Sequence, residues 1–390
     1  MMKLTVSLLM LTIFLFSHQL DAQQVAKTER IKIQSSSLNQ DRELLVYTPL
    51  NYDKRIHEYF NVIYVFDSQN REFFDYTSSI IKFLTNGTAN YIVVGVTSTP
   101  QIEEDYARNN DFLPVLKTEA SIERYGKYSG NVLNFMDYVS DEVVPYINEN
   151  YRTLDRSIAI GHSLSASFIL HSMIRKPHLF DNYIAISPNM AYEDDMIANG
   201  LINFDYSQLE DLTYLYLSNA DEGINTWQEW KPAREKVYDF FNNSLRNEMV
   251  ITKTAEYPEN GHFNTFPPSL NNALTYYFEN VKGRQKPRLS VDEYEVTINV
   301  TVRNKKDVVY IAGDQPGLGN WDPGKIKMKK TSDFERTLKV KLKSPAQFKF
   351  TRGSWDNQAV LESTYDNIII KPETKNQFEF TIEEYVDQYN

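Results

Sequence analysis

The stretch Ser157–Arg175, SIAIGHSLSASFILHSMIR, decides the fold. A short apolar run (Ile158, Ala159, Ile160) meets a tight Gly161-His162-Ser163-Leu164-Ser165 turn, and a helical pattern with apolar Phe168, Ile169, Leu170, Met173 and Ile174 follows. Strand, turn and helix in that order are the setting of a nucleophile elbow, in which a strained turn lifts one serine hydroxyl above the sheet. The same turn aims the backbone N–H of Leu164 at the place where an oxyanion would form. The second glycine of a Gly-x-Ser-x-Gly pattern is Ser165 here, followed by Ala166, and both are small enough for helix and strand to approach closely.

An elbow serine on an α/β sheet needs a base and an acid, in the chain order Ser, then Asp or Glu, then His. The six histidines are His18, His57, His162, His171, His178 and His262. His18 and His57 precede the serine. His162 lies inside the elbow, pointing away from a base's position, and His171 and His178 lie on or just past the following helix. His262, in the turn-rich Pro258-Glu259-Asn260-Gly261-His262-Phe263 loop, remains. Catalytic groups concentrate on such loops, held by a rigid scaffold. The acid is expected after the β-forming run Leu212–Ser218, where Asp221 and Glu222 stand side by side. Its task is to fix the histidine tautomer and stabilise the imidazolium. Spacing alone leaves both carboxylates open.

The region 30–282 resembles the esterase D and enterochelin-esterase-like family of α/β-hydrolases. The resemblance rests on Val62–Asp67, Val93–Val96, Arg108-Asn109-Asn110-Asp111-Phe112-Leu113-Pro114, Glu142–Ile147 with Tyr151-Arg152, the elbow, Pro177–Phe180, Ile186-Ser187-Pro188 and Gly261-His262. It implies an α/β-hydrolase fold, a mostly parallel sheet flanked by helices, and serine ester hydrolysis without a cofactor. It also implies a second oxyanion donor, the backbone N–H of Gln69, although the family's usual Asp-Gly is Asp67-Ser68 here. Family sequences often read Ala-Asn-Glu-Gly where this chain has Ala220-Asp221-Glu222-Gly223, which makes Glu222 the acid and Asp221 the reserve. Siderophore, feruloyl and acetyl-xylan esterases and mycolyltransferases all belong to this group.

The chain has 390 residues, more than one core of about 250–300 residues usually serves, so two domains are expected. Near residues 283–293 the composition changes to a basic, Gly- and Pro-containing link. From there the apolar residues alternate (Val296, Ile298, Val300, Val302; Leu338, Val340, Leu342; Phe348, Phe350), the pattern of a small antiparallel β-sandwich over 294–385. This tail resembles a starch-binding-type (family 20) carbohydrate-binding module through Val309–Gly313, Leu318-Gly319-Asn320-Trp321-Asp322-Pro323 and Phe348–Trp355. The resemblance implies a sugar site with Trp321 and Lys349. The second stacking Trp of the family falls on Leu361, and Trp355 reads as a core residue.

The formal net charge of −11 disfavours nucleic acid and anionic membrane surfaces as partners. Residues 1–22, with Lys3 before an apolar run from Leu4 to Phe16 and Ala22 at the end, read as a secretory signal peptide, with no integral membrane segment once it is removed. The absence of cysteine suits a bacterial periplasmic or secreted enzyme and excludes thiolate metal sites. No histidine spacing suits zinc. Trp227 and Trp230 read as core or as the wall of an acyl pocket. The expected activity is a secreted or periplasmic ester hydrolase taking acetyl- or feruloyl-type groups from a glycan. A siderophore esterase or an acyltransferase would share the same site, and product analysis with an added alcohol acceptor separates transfer from hydrolysis. A non-catalytic glycan-binding protein would fail to react with a fluorophosphonate.

Overall fold

The computed structural model describes residues 26–87, 91–98, 107–126, 128–364 and 366–388. The expected signal peptide, residues 1–22, lies outside them. Eight strands form one sheet: β1 (Lys27–Ser35), β2 (Gln40–Thr48), β3 (Phe60–Phe66), β4 (Tyr91–Val96), β5 (Thr153–His162), β6 (Asn182–Ile186), β7 (Thr213–Asn219) and β8 (Val250–Glu256). Their spatial order is β1-β2-β4-β3-β5-β6-β7-β8. β1 and β2 are antiparallel, β2 joins β4 antiparallel, and every pair from β4 to β8 is parallel.

The central strands are near-continuous apolar runs because both sheet faces are covered, as parallel sheets require. Helices α1 (Arg71–Leu84) and α9 (Phe266–Asn280) pack Phe73, Phe74, Leu270 and Leu274 onto Ile63, Val65, Ile158 and Ile160. The opposite face, carrying Tyr64, Phe66, Ala159 and Leu215, is covered by α2 (Ala107–Phe112), α4 (Val132–Asp137), α6 (Leu164–Arg175), α7 (Tyr192–Asn203) and α8 (Trp230–Asp239). Two further helices, α3 (Glu119–Tyr125) and α5 (Val144–Asn150), complete the layer. One charge pair is sealed inside. Arg42 of β2 donates to both oxygens of Asp111 at 2.7 and 2.8 Å, and removing either partner would strand a buried charge at a cost of about 3–5 kcal/mol.

The C-terminal part is a sandwich of two four-stranded sheets. One runs β11 (Ile326–Lys327), β10 (Tyr310–Gly313), β14 (Ala346–Thr351), β16 (Ile368–Ile370); the other runs β12 (Lys329–Lys330), β13 (Glu335–Leu342), β9 (Tyr294–Val302), β17 (Gln377–Ile382). A short pair, β15 (Ala359–Val360) with β18 (Glu384–Tyr385), flanks them. Val296, Ile298 and Val300 meet Ile311, Phe348, Phe350 and Phe380 in a separate core. The sandwich is not wholly antiparallel as expected, because β17 returns alongside β9 in the parallel sense. Alternation specifies which face of a strand is buried, but not the direction of its neighbour.

The link near residues 283–293 is also more than a spacer. Gln285 Nε2 donates to Asn182 Oδ1 and the Leu212 carbonyl at 2.9 and 2.7 Å. The Lys286 carbonyl accepts from Arg156 at 2.6 Å, and Arg288 pairs with Asp181 at 2.6 Å and with Asp211. The sandwich itself touches the segment entering β3. Ile369 N–H donates to the His57 carbonyl at 2.9 Å, Thr364 donates to Glu58 at 3.1 Å, and the His57 ring lies 4.6 Å from that of Phe380. All these contacts are at the N-terminal ends of the parallel strands, whereas the elbow is at the C-terminal end of β5.

Candidate active site

β5 ends in Gly161-His162, and α6 begins at Leu164, so Ser163 carries the whole change of direction at φ 59°, ψ −125°. Its N–H donates to the Ile186 carbonyl of the next strand at 3.0 Å, and its carbonyl accepts from Ser167 at 3.0 Å. Gly161 is obligatory in packing terms: a Cβ there would lie 2.6 Å from the Ala166 nitrogen. Ser165 does more than stay small. Its hydroxyl accepts the His162 N–H at 2.9 Å and donates to the His162 carbonyl at 2.8 Å, closing the turn on itself.

His262 follows β8, and its Nδ1 pairs with Glu222 Oε1, the carboxylate after β7. Glu222 is 1% exposed, and its other oxygen accepts the Ala220 N–H at 2.6 Å. Burial works against its charge, but the imidazole and this N–H hold the carboxyl below its ordinary range. Its neighbour Asp221 faces elsewhere, its carboxylate accepting a long 3.5 Å bond from Thr226, while its N–H ties the acid loop to the histidine loop through the Asn260 carbonyl at 3.0 Å. Gly223, at φ 79°, lets the acid loop run against α8, where a Cβ would meet Lys231 at 2.6 Å.

His162, which the sequence points away from a base's position, has a role of its own in the structure. Its Nε2 lies 2.7 Å from the His262 carbonyl, and the two rings are 4.7 Å apart. Burial pushes His162 down to about 4, so near neutrality it is uncharged and donates that N–H to the carbonyl. The elbow thereby braces the loop that carries His262. Neither bond made by the His262 ring or carbonyl goes to Ser163 Oγ. Such bonds in unliganded sites are often long and tighten with substrate. Leu164 N–H sits in the first turn of α6, where a helix leaves its amides unpaired. Gln69 follows β3 in a turn whose neighbouring amides, Ser68 and Asn70, are spent on Val96 and Asp67 carbonyls.

Trp227 and Trp230 stand beside His262. Their indoles stack at 4.7 Å, and both stand edge-on to the His262 ring, at 4.6 and 5.7 Å. Arg124 lies 5.5 Å over each indole and pairs with Glu229. Beyond them opens a cavity of about 400 Å³ lined by Ser121, Arg124, Tyr125, Asn189, Tyr192 and Trp230. Among the described residues no three His, Asp or Glu side chains are grouped as metal ligands, and no helix is long and apolar enough to cross a membrane.

The tail holds a second candidate site. Gly319, Asn320 and Trp321 are all left-handed, with Trp321 at φ 62° and its N–H donated to the Gly313 carbonyl at 2.7 Å. Trp355, expected in the core, is instead 42% exposed and lies 6.5 Å from Trp321, on a short turn capped by Ser354 and Asn357. Leu361 is buried in the sandwich core, so nothing at that position faces a ligand. Lys349 Nζ bonds Gln358 at 3.3 Å.

Residues 35–246 match the family model described as putative esterase, and residues 293–381 match that of the starch binding domain. Ferri-bacillibactin esterase BesA of Bacillus subtilis (strain 168) is 22% identical over 193 residues, 47% of this chain and 66% of that protein. The chain thus spans just under two thirds of that relative's length. An IroE-like serine hydrolase from Shewanella oneidensis superposes with a TM-score of 0.56 at 20% identity, covering 65% of this chain and 80% of the other. Siderophore hydrolase EstA from Aspergillus nidulans gives 0.54 at 17%, covering 65% and 95%. At such identities these structures establish the α/β-hydrolase-like fold. With the first family match running over more than half its length, this chain belongs to the putative esterase family.

Proposed function

We propose that this ester-hydrolysing enzyme is an exported serine hydrolase that removes an acyl group from a glycan-linked ester. The observation that carries the catalytic part is the His262–Glu222 pair, braced on the Ser163 elbow through His162. His262 Nε2 takes the Ser163 proton as Oγ attacks the ester carbonyl, and Glu222 supports the imidazolium at Nδ1. The N–H groups of Leu164 and Gln69 receive the oxyanion, each such donor worth about 3 kcal/mol. The imidazolium protonates the departing alcohol oxygen. Water, deprotonated by His262, then attacks the acyl-enzyme carbonyl, and Ser163 leaves with the proton returned. Export is inferred from residues 1–22.

The glycan part is supported by the starch-binding-domain match and by the paired indoles of Trp321 and Trp355, with Lys349 as the candidate polar contact. Indole faces stack on the C–H faces of pyranoses, while nearby polar groups read hydroxyls. A siderophore-type ester is the second reading, favoured by the names of the relatives above and by the Arg124 cation in the cavity. Incubating the purified enzyme with acetylated and feruloylated polysaccharides, with ferri-bacillibactin and with a p-nitrophenyl ester separates the readings. Acetate or ferulate release supports the first, cleavage of ferri-bacillibactin alone supports the second, and no turnover of any ester overturns both.

A further inference from the structure

At the C-terminal end of β3 the chain turns on Asp67, a non-glycine residue held at φ 63° with its carboxylate 1% exposed. A side chain in that left-handed conformation is disfavoured and persists where its surroundings hold it. Arg108 of α2 enforces it with a two-pronged pair: Nε donates to Oδ1 at 2.7 Å and Nη2 to Oδ2. Gln69 Nε2 donates to the same Oδ1 at 2.7 Å, while Gln69 Oε1 accepts the Ser98 N–H at 3.0 Å. The residue proposed to present an oxyanion donor is therefore clamped at both atoms of its terminal amide. On the elbow side, the Ser165 hydroxyl holds both backbone groups of His162. One carboxylate thus holds the side chain of the residue proposed to present one of the two oxyanion donors.

A lone negative charge at this place would oppose the negative charge that develops on the ester oxygen. Burial disfavours the ionised carboxyl, and Arg108 outweighs that effect by charge and hydrogen bonds. We propose that the Arg108–Asp67 pair positions the Gln69 half of the oxyanion hole and neutralises the carboxylate on which that half is mounted. Neither residue is catalytic in the sense of touching the reacting atoms. The proposal rests on the serine-hydrolase reading above.

The test is steady-state hydrolysis of p-nitrophenyl acetate by the full-length protein. Arg108→Ala should lower kcat on the order of 10²-fold with KM changed less than about threefold, the size of losing an oxyanion donor. Removing the stranded charge as well, in Asp67→Asn/Arg108→Ala, should recover about tenfold of that loss. A pair that only stabilised the fold would make the double variant no faster than the single one. Arg108→Ala retaining more than about a third of wild-type kcat, or a double variant no faster than Arg108→Ala, overturns the proposal. Should Arg108→Ala not fold, Arg108→Lys carries the test: it keeps the charge, loses the fork and should cost about tenfold in kcat, and no loss overturns the idea. Wild-type turnover of the same ester, abolished in Ser163→Ala, separates failure of this proposal from failure of the serine-hydrolase reading.

Discussion

The turns at Ser163 and at Trp321 share one backbone device and serve opposite ends. Each is a non-glycine residue with positive φ, 59° and 62°, whose N–H is donated to a strand carbonyl, of Ile186 and Gly313 respectively. Around Ser163 the neighbouring polar groups are enclosed and paired: Ser165 with His162, His162 with His262, His262 with Glu222. Around Trp321 the turn opens outward, and what it presents is an indole beside the exposed indole of Trp355. Strain marks a place where side-chain direction matters, but the surroundings decide for what. A dry, hydrogen-bonded setting can hold charge as it develops, whereas an exposed aromatic pair can offer only area.

The sharpest break between the two turns is chemical. Ser163→Ala should lower ester hydrolysis by about 10⁴-fold or more, with no loss of melting temperature, since alanine fits the elbow. Retained activity in the purified variant would remove Ser163 from the mechanism. The next effect separates two adjacent carboxylates. Glu222→Gln should cost about 10²–10⁴-fold in kcat, and Asp221→Asn less than about threefold, because only Glu222 reaches His262. The reverse order would move the acid role to Asp221.

Acid should also tell the regions apart. All six histidines precede the sandwich. Burial pushes His57, His162 and His171 each down to about 4; the charges of Lys375 and Arg152 reinforce this at His57, His262 does so at His162, and Arg175 at His171. The unfolded chain therefore binds these protons first. Stability should be full above about pH 6.5 and fall as the pH drops toward 4, with the hydrolase transition moving to lower temperature in a calorimetric pH series. A transition that stays put between pH 7 and 4.5 would contradict this. The smallest effect belongs to the tail: Trp321→Ala and Trp355→Ala should each weaken binding to a soluble glucan by about tenfold and leave small-ester turnover unchanged. Leu361→Ala should instead lower stability by about 2–5 kcal/mol, as a core truncation does. Equal mobility of the wild type and both Trp variants in glucan-containing gels would break the binding half of the comparison.

The elbow strand, its helix and the place of Ser163 are legible because each rests on local pattern, an apolar run and a turn with small residues; local pattern puts an acid after β7, and the choice of Glu222 over Asp221 comes from the family resemblance. His262 came from order and elimination. What escaped depends on contacts between distant parts of the chain. His162 meets a carbonyl 100 residues later, and Arg108 meets Asp67 41 residues earlier. The exposure of Trp355 is not legible, because alternation does not extend into its capped turn and its partner is 34 residues before it. The docking of the link is not legible in the sequence, because Gln285 and Arg288 find partners only once Asn182, Asp181 and Asp211 line up along one edge of the sheet.

The central claim is that Ser163, activated by the His262–Glu222 pair, forms the covalent bond to the acyl group. Reaction with a fluorophosphonate, followed by intact mass and peptide mapping, tests it most directly. One adduct per chain is expected, on Ser163, forming far more slowly in His262→Ala. An adduct on another residue, or none in a preparation that hydrolyses esters, would contradict it.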